Sequence, residues 1–131
     1  MEPEERRAIE WECTRLINLY ANLNDQGRWE EVAALYTHGG SMTRPTAPDA
    51  PVVGREALLA SFLARPPRTS QHVCANIVID VESNTSAMGY SVILLFTAKD
   101  SPPLAGHYAD RFEKTAEGWR FAERRGGLSF A

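Results

Sequence analysis

The sequence has few cysteines, no long apolar run and no excess of positive charge. Two cysteines, Cys13 and Cys74, occur among 131 residues, and we interpret them as buried thiols because they are too few and too far apart for a disulfide framework or a clustered zinc site. No apolar run approaches the roughly 20 residues that cross a bilayer. Its 17 acidic and 14 basic side chains give a net charge of −3, with no excess to neutralise phosphates. We expect neither a nucleic-acid partner nor a membrane span.

Motifs for cofactors are also missing. The two Gly-Gly pairs, at 39–40 and 126–127, lack the spacing of a phosphate-binding loop. No His, Asp or Glu cluster has helical metal-ligand spacing, and no serine stands in a nucleophile elbow. The first residues, MEPEERRAIE, are acidic and polar where a signal peptide would be basic and then apolar. We therefore predict no cofactor, no metal and a cytoplasmic location.

The remaining composition is that of an ordinary soluble globular protein. Hydrophobic residues make up 44% of the chain and charged residues 24%, which is typical of a folded domain. A length of 131 residues suits one hydrophobic core better than two. The sequence predicts a single domain over residues 1–131.

Helical patterns occupy the first half of the chain. Apolar residues recur at helical spacing from Pro3 to about Asn24, and a shorter stripe runs from Trp29 to Tyr36 and stops at the glycine pair. The proline-rich segment SMTRPTAPDAPVV predicts a short strand and then a loop that could overhang a cavity. A third helix is predicted after Gly54, ending at the Pro-Pro pair of residues 66–67.

Strand patterns fill the second half. Four runs, 71–82, 86–98, 104–114 and 119–125, are separated by turn-like stretches. Short connections predict antiparallel pairing, and one face of such a sheet must be covered by the helices. The predicted fold is therefore α+β, with helices on one side of a strongly bent, mainly antiparallel sheet.

The first of these strands, in SQHVCANIVID, carries the main candidate residue. Alternation places His72, Cys74, Asn76 and Val78 on one face and four apolar residues on the other. The mixed face could line a cavity or meet solvent. Asp25, just after the first helix, could be a turn residue, a cap or a functional partner.

Several stretches of the chain resemble the SnoaL-like branch of the nuclear-transport-factor-2-like superfamily. They are YANLNDQGRWEEVAALYTHGG, VGREALLASFLAR, SQHVCANIVIDVES and AGHYADRFEKTAEGWRFAERR. The resemblance implies a cystatin-like fold, in which a cone-shaped barrel of bent sheet wraps around three N-terminal helices. It also implies a homodimer, because relatives often pair through an apolar convex sheet face.

Two enzyme groups of this superfamily, scytalone dehydratase and hexachlorocyclohexane dehydrochlorinase, carry an aspartate after the first helix and a histidine at the head of the first long strand. Asp25 and His72 match these two positions. Asn76 matches an asparagine that follows the histidine by four residues in these enzymes. The resemblance implies that His72 is the base of an elimination and that Asp25 orients it. Arg124 is the nearest match to an arginine that the dehydrochlorinase uses. Asn24 replaces a tyrosine of scytalone dehydratase, which argues against scytalone itself as the substrate.

Other polar residues are weaker candidates for contacts with a substrate. Tyr20 and Tyr36 lie on inward helical stripes, where they could donate hydrogen bonds to a substrate or simply fill the core. Cys74 and Asn76 share the predicted face of His72. For Asp110 we predict a cross-strand ion pair with Arg124 or the following arginine.

The expected function is that of a cofactor-independent lyase or isomerase acting on a small, largely apolar, cyclic molecule. Histidine titrates near neutral pH and a carboxylate can fix its tautomer, which suits proton abstraction in a dehydratase or dehydrohalogenase. Two alternatives stay open. One is a non-catalytic module that binds a small molecule or a partner chain. The other is an enzyme of the polyketide-cyclase or ketosteroid-isomerase type, in which Asp25 is the base and His72 an acid.

Overall fold

The computed structural model of the chain describes residues 1–130. Three helices and six strands follow one another as α1 (Pro3–Asp25), α2 (Trp29–Ala33), β1 (Tyr36–Arg44), β2 (Ala47–Val53), α3 (Arg55–Leu63), β3 (Gln71–Val81), β4 (Ser86–Phe96), β5 (Leu104–Thr115) and β6 (Gly118–Leu128). This architecture confirms the predicted α+β fold. Among the helices of residues 1–130, none combines the length and the apolar character that a membrane crossing requires.

The six strands form one mixed sheet in the order β2-β1-β6-β5-β4-β3. All neighbours pair antiparallel except β1 and β6, which are parallel. Register shifts interrupt several of these ladders, and such bulges bend strands and increase their twist. The sheet therefore curls without closing, and β2 and β3 remain its two edges. The predicted antiparallel meander is confirmed as β3 to β6.

Helix α1 forms where apolar residues recur every three or four positions. Its buried side chains include Ile9, Cys13, Leu16 and Ile17, which share one face of the helix. Pro3 stands in the first turn, where its missing N–H costs nothing. The buried face packs chiefly against β3, so the helix covers the concave side of the sheet.

The second helix is shorter than the sequence predicted. It ends at Ala33, and Tyr36 begins strand β1, which runs through both glycines of the pair at 39–40. Pairing with β6 explains the difference, since the Phe121 N–H donates to the Leu35 carbonyl at 2.8 Å and Tyr36 becomes fully buried. At Gly40, a Cβ would lie 3.0 Å from the Tyr36 Cβ, so the close approach of the chain favours glycine here.

The proline-rich segment was also predicted incorrectly in part. Residues Ala47–Val53, which we expected to be a loop, form strand β2 at the edge of the sheet. An edge strand tolerates proline because one side of its backbone has no partner, and Pro48 and Pro51 are both exposed there. The short turn at Pro45 and Thr46 remains outside the strands.

The core lies between the helices and the concave face of the sheet. Its fully buried members include Ile17, Tyr36, Phe62, Phe112 and Phe121. The rings of Phe112 and Phe121 are 5.0 Å apart between centroids. Packing is not continuous across the whole concave face, and a cavity remains between the end of α1, the segment after α3 and strands β3 to β5.

Candidate active site

The end of helix α1 places Asp25 at the cavity. The Gly27 N–H donates to the Asn24 carbonyl and the Arg28 N–H donates to the Leu23 carbonyl, each at 3.0 Å. Gly27 has a φ of 67°, so these bonds form the left-handed helix ending that glycine makes possible. The helix therefore stops directly after Asp25, and the carboxylate lies among the residues that line the cavity.

Asp25 holds the head of strand β3 through three hydrogen bonds. The Nδ1 of His72 lies 2.6 Å from Oδ1 of Asp25. The backbone N–H of His72 donates to Oδ2 at 2.7 Å, and the Ser70 hydroxyl donates to Oδ1 at 2.9 Å. Both side chains are mostly buried, with exposed fractions of 14% for His72 and 18% for Asp25. The two residues that sequence analysis paired are therefore in direct contact.

This contact determines which nitrogen of His72 is available. A carboxylate can only accept, so Nδ1 of the imidazole carries the proton that Asp25 accepts. In the neutral ring, Nε2 then has a free lone pair. Nε2 makes no hydrogen bond within residues 1–130, and His72 lines the cavity. The carboxylate therefore fixes the tautomer of the imidazole and leaves the lone pair of Nε2 without a partner among these residues.

The cavity has a volume of about 660 Å³, within the range of small-molecule sites. Ile93, Leu95 and Leu104 supply apolar wall from strands β4 and β5. Tyr20 and Tyr108 contribute aromatic rings. No group of three or more His, Cys, Asp or Glu side chains with the geometry of a metal site occurs within residues 1–130.

Asn76 does not lie in this cavity, contrary to prediction. A bulge between Ala75 and Val78 shifts the register with β4, and Asn76 takes a φ of 53°. The extra residue reverses the alternation, so that Ile77 and Ile79 turn inward while Asn76 and Val78 are exposed. Simple alternation fails here because it assumes one residue per position along the ladder.

The two tyrosines named from the sequence have different positions. Tyr20 lines the cavity, whereas Tyr36 is completely buried behind it and is not part of the wall. Their hydroxyls are 2.8 Å apart. Burial raises the pKa of both phenols, which keeps them protonated at neutral pH. A direct contact between Tyr36 and a ligand in the cavity is therefore not supported.

Arg124 lines the cavity and also forms the predicted ion pair with Asp110. Its Nε and Nη2 donate to the two carboxylate oxygens at 2.8 and 3.2 Å. Burial is the largest single effect and lowers the pKa of Arg124, but Asp110, Tyr108 and Tyr20 together outweigh it and raise the pKa, so the guanidinium stays charged. The group also stacks over Tyr108, with 3.9 Å from Cζ to the ring centroid. Its Nη1 makes no hydrogen bond within residues 1–130.

Cys74 lines the cavity as predicted, two residues after His72. Burial raises the pKa of its thiol, which disfavours the nucleophilic thiolate form at neutral pH. The side chain therefore acts as part of the wall. Cys13, the second cysteine, is fully buried in α1.

Several residues of the cavity wall were not predicted from the sequence. Arg44, Arg65 and Arg68 line one side, together with Trp29 and Tyr108. Two of these arginines flank the Pro-Pro pair after α3, in the stretch ARPPR. Arginines beside a proline pair indicate an exposed loop, and loops often carry functional residues. Nothing in the local sequence indicates that this loop bends toward His72.

Comparison with known proteins agrees with this fold. A candidate scytalone dehydratase from Novosphingobium aromaticivorans shares 29% identity and a TM-score of 0.78, over 96% of this chain and 85% of the other. A type 2 hexachlorocyclohexane dehydrochlorinase shares the fold, with a TM-score of 0.85 and 15% identity over 98% of this chain and 90% of the other.

A third structure is a Mycobacterium tuberculosis protein of unknown function, with 24% identity and a TM-score of 0.76 over 89% of this chain and 74% of the other. The chain has no significant match among the curated proteins. The model of the SnoaL-like domain matches residues 5–125. That match covers nearly all of the sequence, and the chain belongs to the SnoaL-like domain family.

Proposed function

We propose that this protein is a cofactor-independent lyase or isomerase in which His72 removes a proton from carbon and Asp25 orients the imidazole. The observation that carries the proposal is the 2.6 Å contact between His72 Nδ1 and Asp25 Oδ1 at the wall of a cavity whose β4–β5 side is apolar. The names of two similar structures, a dehydratase and a dehydrochlorinase, agree with an elimination.

The proposed step needs only groups that the chain supplies. Nε2 of His72 accepts a proton from a carbon of the substrate, and the electron pair of the broken C–H bond forms a C=C bond. The bond to a leaving group on the neighbouring carbon breaks, and that group departs with its electron pair. Asp25 stabilises the imidazolium that forms, and a base of this kind contributes about 10²–10⁴-fold to the rate.

The leaving group defines two versions of the reaction. A departing hydroxide takes the proton from the imidazolium and leaves as water, which gives a dehydratase. A departing halide leaves as the anion and the imidazolium gives its proton to solvent, which gives a dehydrohalogenase. If no group departs, the new C=C bond displaces the electron pair of an existing neighbouring C=C bond, whose far carbon takes the proton back from the imidazolium, and the same pair catalyses isomerisation.

Three further residues are proposed to contact the substrate. Tyr20, Cys74 and Arg124 all line the cavity. Tyr20 would contact the substrate through its ring, because its hydroxyl lies 2.8 Å from the Tyr36 hydroxyl and donates to the Met42 sulfur at 3.6 Å. Arg124 can donate from Nη1, which Asp110 does not engage. Cys74 supplies surface beside the base and no chemistry.

The experiment that tests the proposal is a turnover assay on cyclic β-hydroxyketones, with and without a carboxylate on the ring, and on hexachlorocyclohexane isomers. We expect at least one compound to be converted and the His72→Gln variant to lose about 10²–10⁴-fold of that rate. His38→Gln is the matched control, because His38 is an exposed histidine with a side chain 84% exposed. Equal activity of the His72→Gln protein would refute the assigned base.

The same assay separates the two alternatives. A ketosteroid-isomerase-like enzyme would use Asp25 as the base, so Asp25→Asn would then be more damaging than His72→Gln. The three hydrogen bonds already made to Asp25 argue against that role, because they occupy both of its oxygens. A non-catalytic binding module would consume none of the compounds while still binding some of them.

We also propose that two copies of the chain pair through the outer face of β3 and β4. Val73, Val78, Tyr90 and Leu94 are exposed there, and we call these four residues the outer patch. Exposed apolar patches of this kind often mark protein contacts. Pairing would cover them without obstructing the concave side, where His72 lies.

A further inference from the structure

Three arginines on one side of the cavity lack acidic partners. Arg44, Arg65 and Arg68 line the cavity, and none of them forms a salt bridge within residues 1–130. Other arginines of the chain do pair with carboxylates, as Arg124 does with Asp110. The wall next to the proposed base therefore carries positive charge that no nearby side chain neutralises.

Neutral groups hold Arg65 in place. Its Nη1 donates to Oδ1 of the buried Asn24 at 3.1 Å. The guanidinium also lies over the rings of Phe62 and Trp29, with 4.8 and 5.4 Å from Cζ to the two centroids. These contacts fix the orientation of the planar group. They leave its charge uncompensated in a partly buried position.

The surrounding charges disfavour this arrangement of arginines. Burial lowers the pKa of Arg65, and the neighbouring charge of Arg44 lowers it further. Among residues 1–130, Asp25 is the one acidic residue on the cavity wall, and its oxygens already accept hydrogen bonds from Ser70 and His72. A bound anion would relieve the repulsion between the guanidinium groups, because charge is poorly screened at a partly buried site.

We propose that the substrate of this cavity is an anion, whose carboxylate or equivalent oxyanion is held by Arg65 and Arg44 while its apolar body lies against the β4–β5 wall. The inference rests on the proposed function, since it assigns a substrate class to the same site. Guanidinium groups match the planar, two-oxygen shape of a carboxylate. Arg44 contributes the second charge and is anchored by a 3.3 Å hydrogen bond from Nη2 to the Ser61 carbonyl.

The position of Arg65 also orients such a substrate. Asn24, which anchors Arg65, is adjacent in the chain to Asp25, which anchors His72. The anionic end of a ligand bound to Arg65 would therefore lie near the C-terminal end of α1, as His72 does. The ring of the ligand would extend along the wall that includes Leu95 and Leu104, which is where a proton on carbon must lie for His72 to remove it.

The test compares matched charged and neutral ligands by calorimetry. We would titrate the protein with 2-naphthoate, its neutral amide and 2-naphthyl phosphate, and follow protection of Cys74 from a thiol reagent as a second measure of occupancy. We expect the carboxylate to bind at least roughly tenfold more tightly than the amide, as charge-assisted hydrogen bonds imply. Arg65→Gln should remove that preference, and Arg15→Gln, at an exposed site on α1, should keep it.

The possible outcomes are distinguishable. Equal affinity for acid and amide, or binding of neither, would overturn the inference, and this comparison needs only the unmodified protein. Tighter binding of the phosphate ester than of the carboxylate would support an oxyanion site, and would assign it to a phosphate group. His72→Gln should retain the preference for the anion. If the protein still binds the carboxylate more tightly than the amide, but no charged or neutral compound is converted in the turnover assay, the proposed function fails and the anion site remains.

Discussion

Asp25 binds His72 at two points, with one carboxylate oxygen 2.6 Å from the ring Nδ1 and the other 2.7 Å from the backbone nitrogen. The first contact sets the tautomer of the ring, and the second fixes the strand that carries it. A single side chain at the end of α1 therefore positions both the imidazole and the first residues of β3. This double contact fixes the imidazole relative to the end of α1.

The first prediction compares the negative charge of Asp25 with the hydrogen bond that Ser70 donates to it. Asp25→Asn removes the negative charge that stabilises the imidazolium, so we expect a rate loss of about 10²–10⁴-fold with the fold retained. Ser70→Ala removes only the 2.9 Å hydrogen bond to Oδ1 and should cost less than about tenfold. Steady-state kinetics on a converted substrate, with melting temperatures for both variants, would measure this order. Full activity of the Asp25→Asn protein would eliminate the dyad.

A second prediction concerns the buried pair of Asp110 and Arg124. Both side chains are almost fully buried, with exposed fractions of 0% and 2%, so Asp110→Asn would leave a guanidinium without its counter-charge. We expect the free energy of unfolding to fall by about 3–5 kcal/mol, measured by urea denaturation. The combined variant Asp110→Leu, Arg124→Met should recover part of this loss.

Glu123 provides the control, because it pairs with two largely exposed arginines. Its N–O distances are 3.8 Å to Arg111 and 3.1 Å to Arg125, and Glu123→Gln should change stability by less than about 1 kcal/mol. If the Asp110→Asn protein lost no more than this control, the buried pair would contribute little to the fold.

Residue Asn76 gives a third prediction. Its φ of 53° is a left-handed conformation that asparagine and glycine adopt readily and β-branched residues do not. Asn76→Val should lower the free energy of unfolding by about 1–2 kcal/mol, whereas Asn76→Gly should change it by less than about 1 kcal/mol. Because the side chain is outside the cavity, ligand affinity should be unchanged in both variants. If either variant lost ligand affinity while keeping normal stability, Asn76 would have to contact the ligand.

The sequence predicted the strands better than the site. Turn residues and apolar patterns located β3 to β6 closely, because these strands pair with their neighbours along the chain. Strands β1 and β2 were harder, since the burial of Tyr36 depends on pairing with β6, which is distant in sequence. Nothing in the alternation of apolar residues indicated the bulge at Asn76. Arg65 resembled an ordinary exposed residue at a helix end, and only the fold brings it to the cavity.

The contact of Asp25 with His72 was accessible from the sequence by a different route. The two residues are 47 positions apart, so no local pattern links them, and the expectation came from the resemblance to known enzymes. The geometry then adds what resemblance could not supply, namely the bond to the backbone nitrogen and the part played by Ser70. The positive charge of Arg44, Arg65 and Arg68 on the cavity wall was not implied by the resemblance at all.

The fourth prediction tests the proposed dimer. Leu94→Lys introduces charge into the outer patch and should convert a dimer to a monomer, because a charge buried in an apolar interface lacks a partner. Sedimentation velocity would compare the variant with the unmodified protein. Trp11→Lys, at an exposed aromatic residue on α1, should leave the dimer intact. A monomeric unmodified protein would contradict pairing through this face.

The last prediction concerns stability at alkaline pH. Of the four tyrosines, Tyr20, Tyr36 and Tyr108 are buried, and burial raises the pKa of each phenol. In the unfolded chain these groups ionise near pH 10. Their contribution to stability is therefore complete below about pH 10 and is lost as the pH rises toward the higher values of the folded protein.

The sign and slope of this effect can be measured. Above about pH 10 the unfolded chain binds fewer protons than the folded one, so the free energy of unfolding should fall by up to about 1.4 kcal/mol per pH unit for each buried tyrosine. Urea denaturation at several alkaline pH values would give the slope, and tyrosinate absorbance would show whether ionisation accompanies unfolding. Tyr108→Phe removes one titrating group while keeping the ring over Arg124, so its slope should be shallower. Ionisation of all the tyrosines in the folded protein would contradict the burial on which this argument depends.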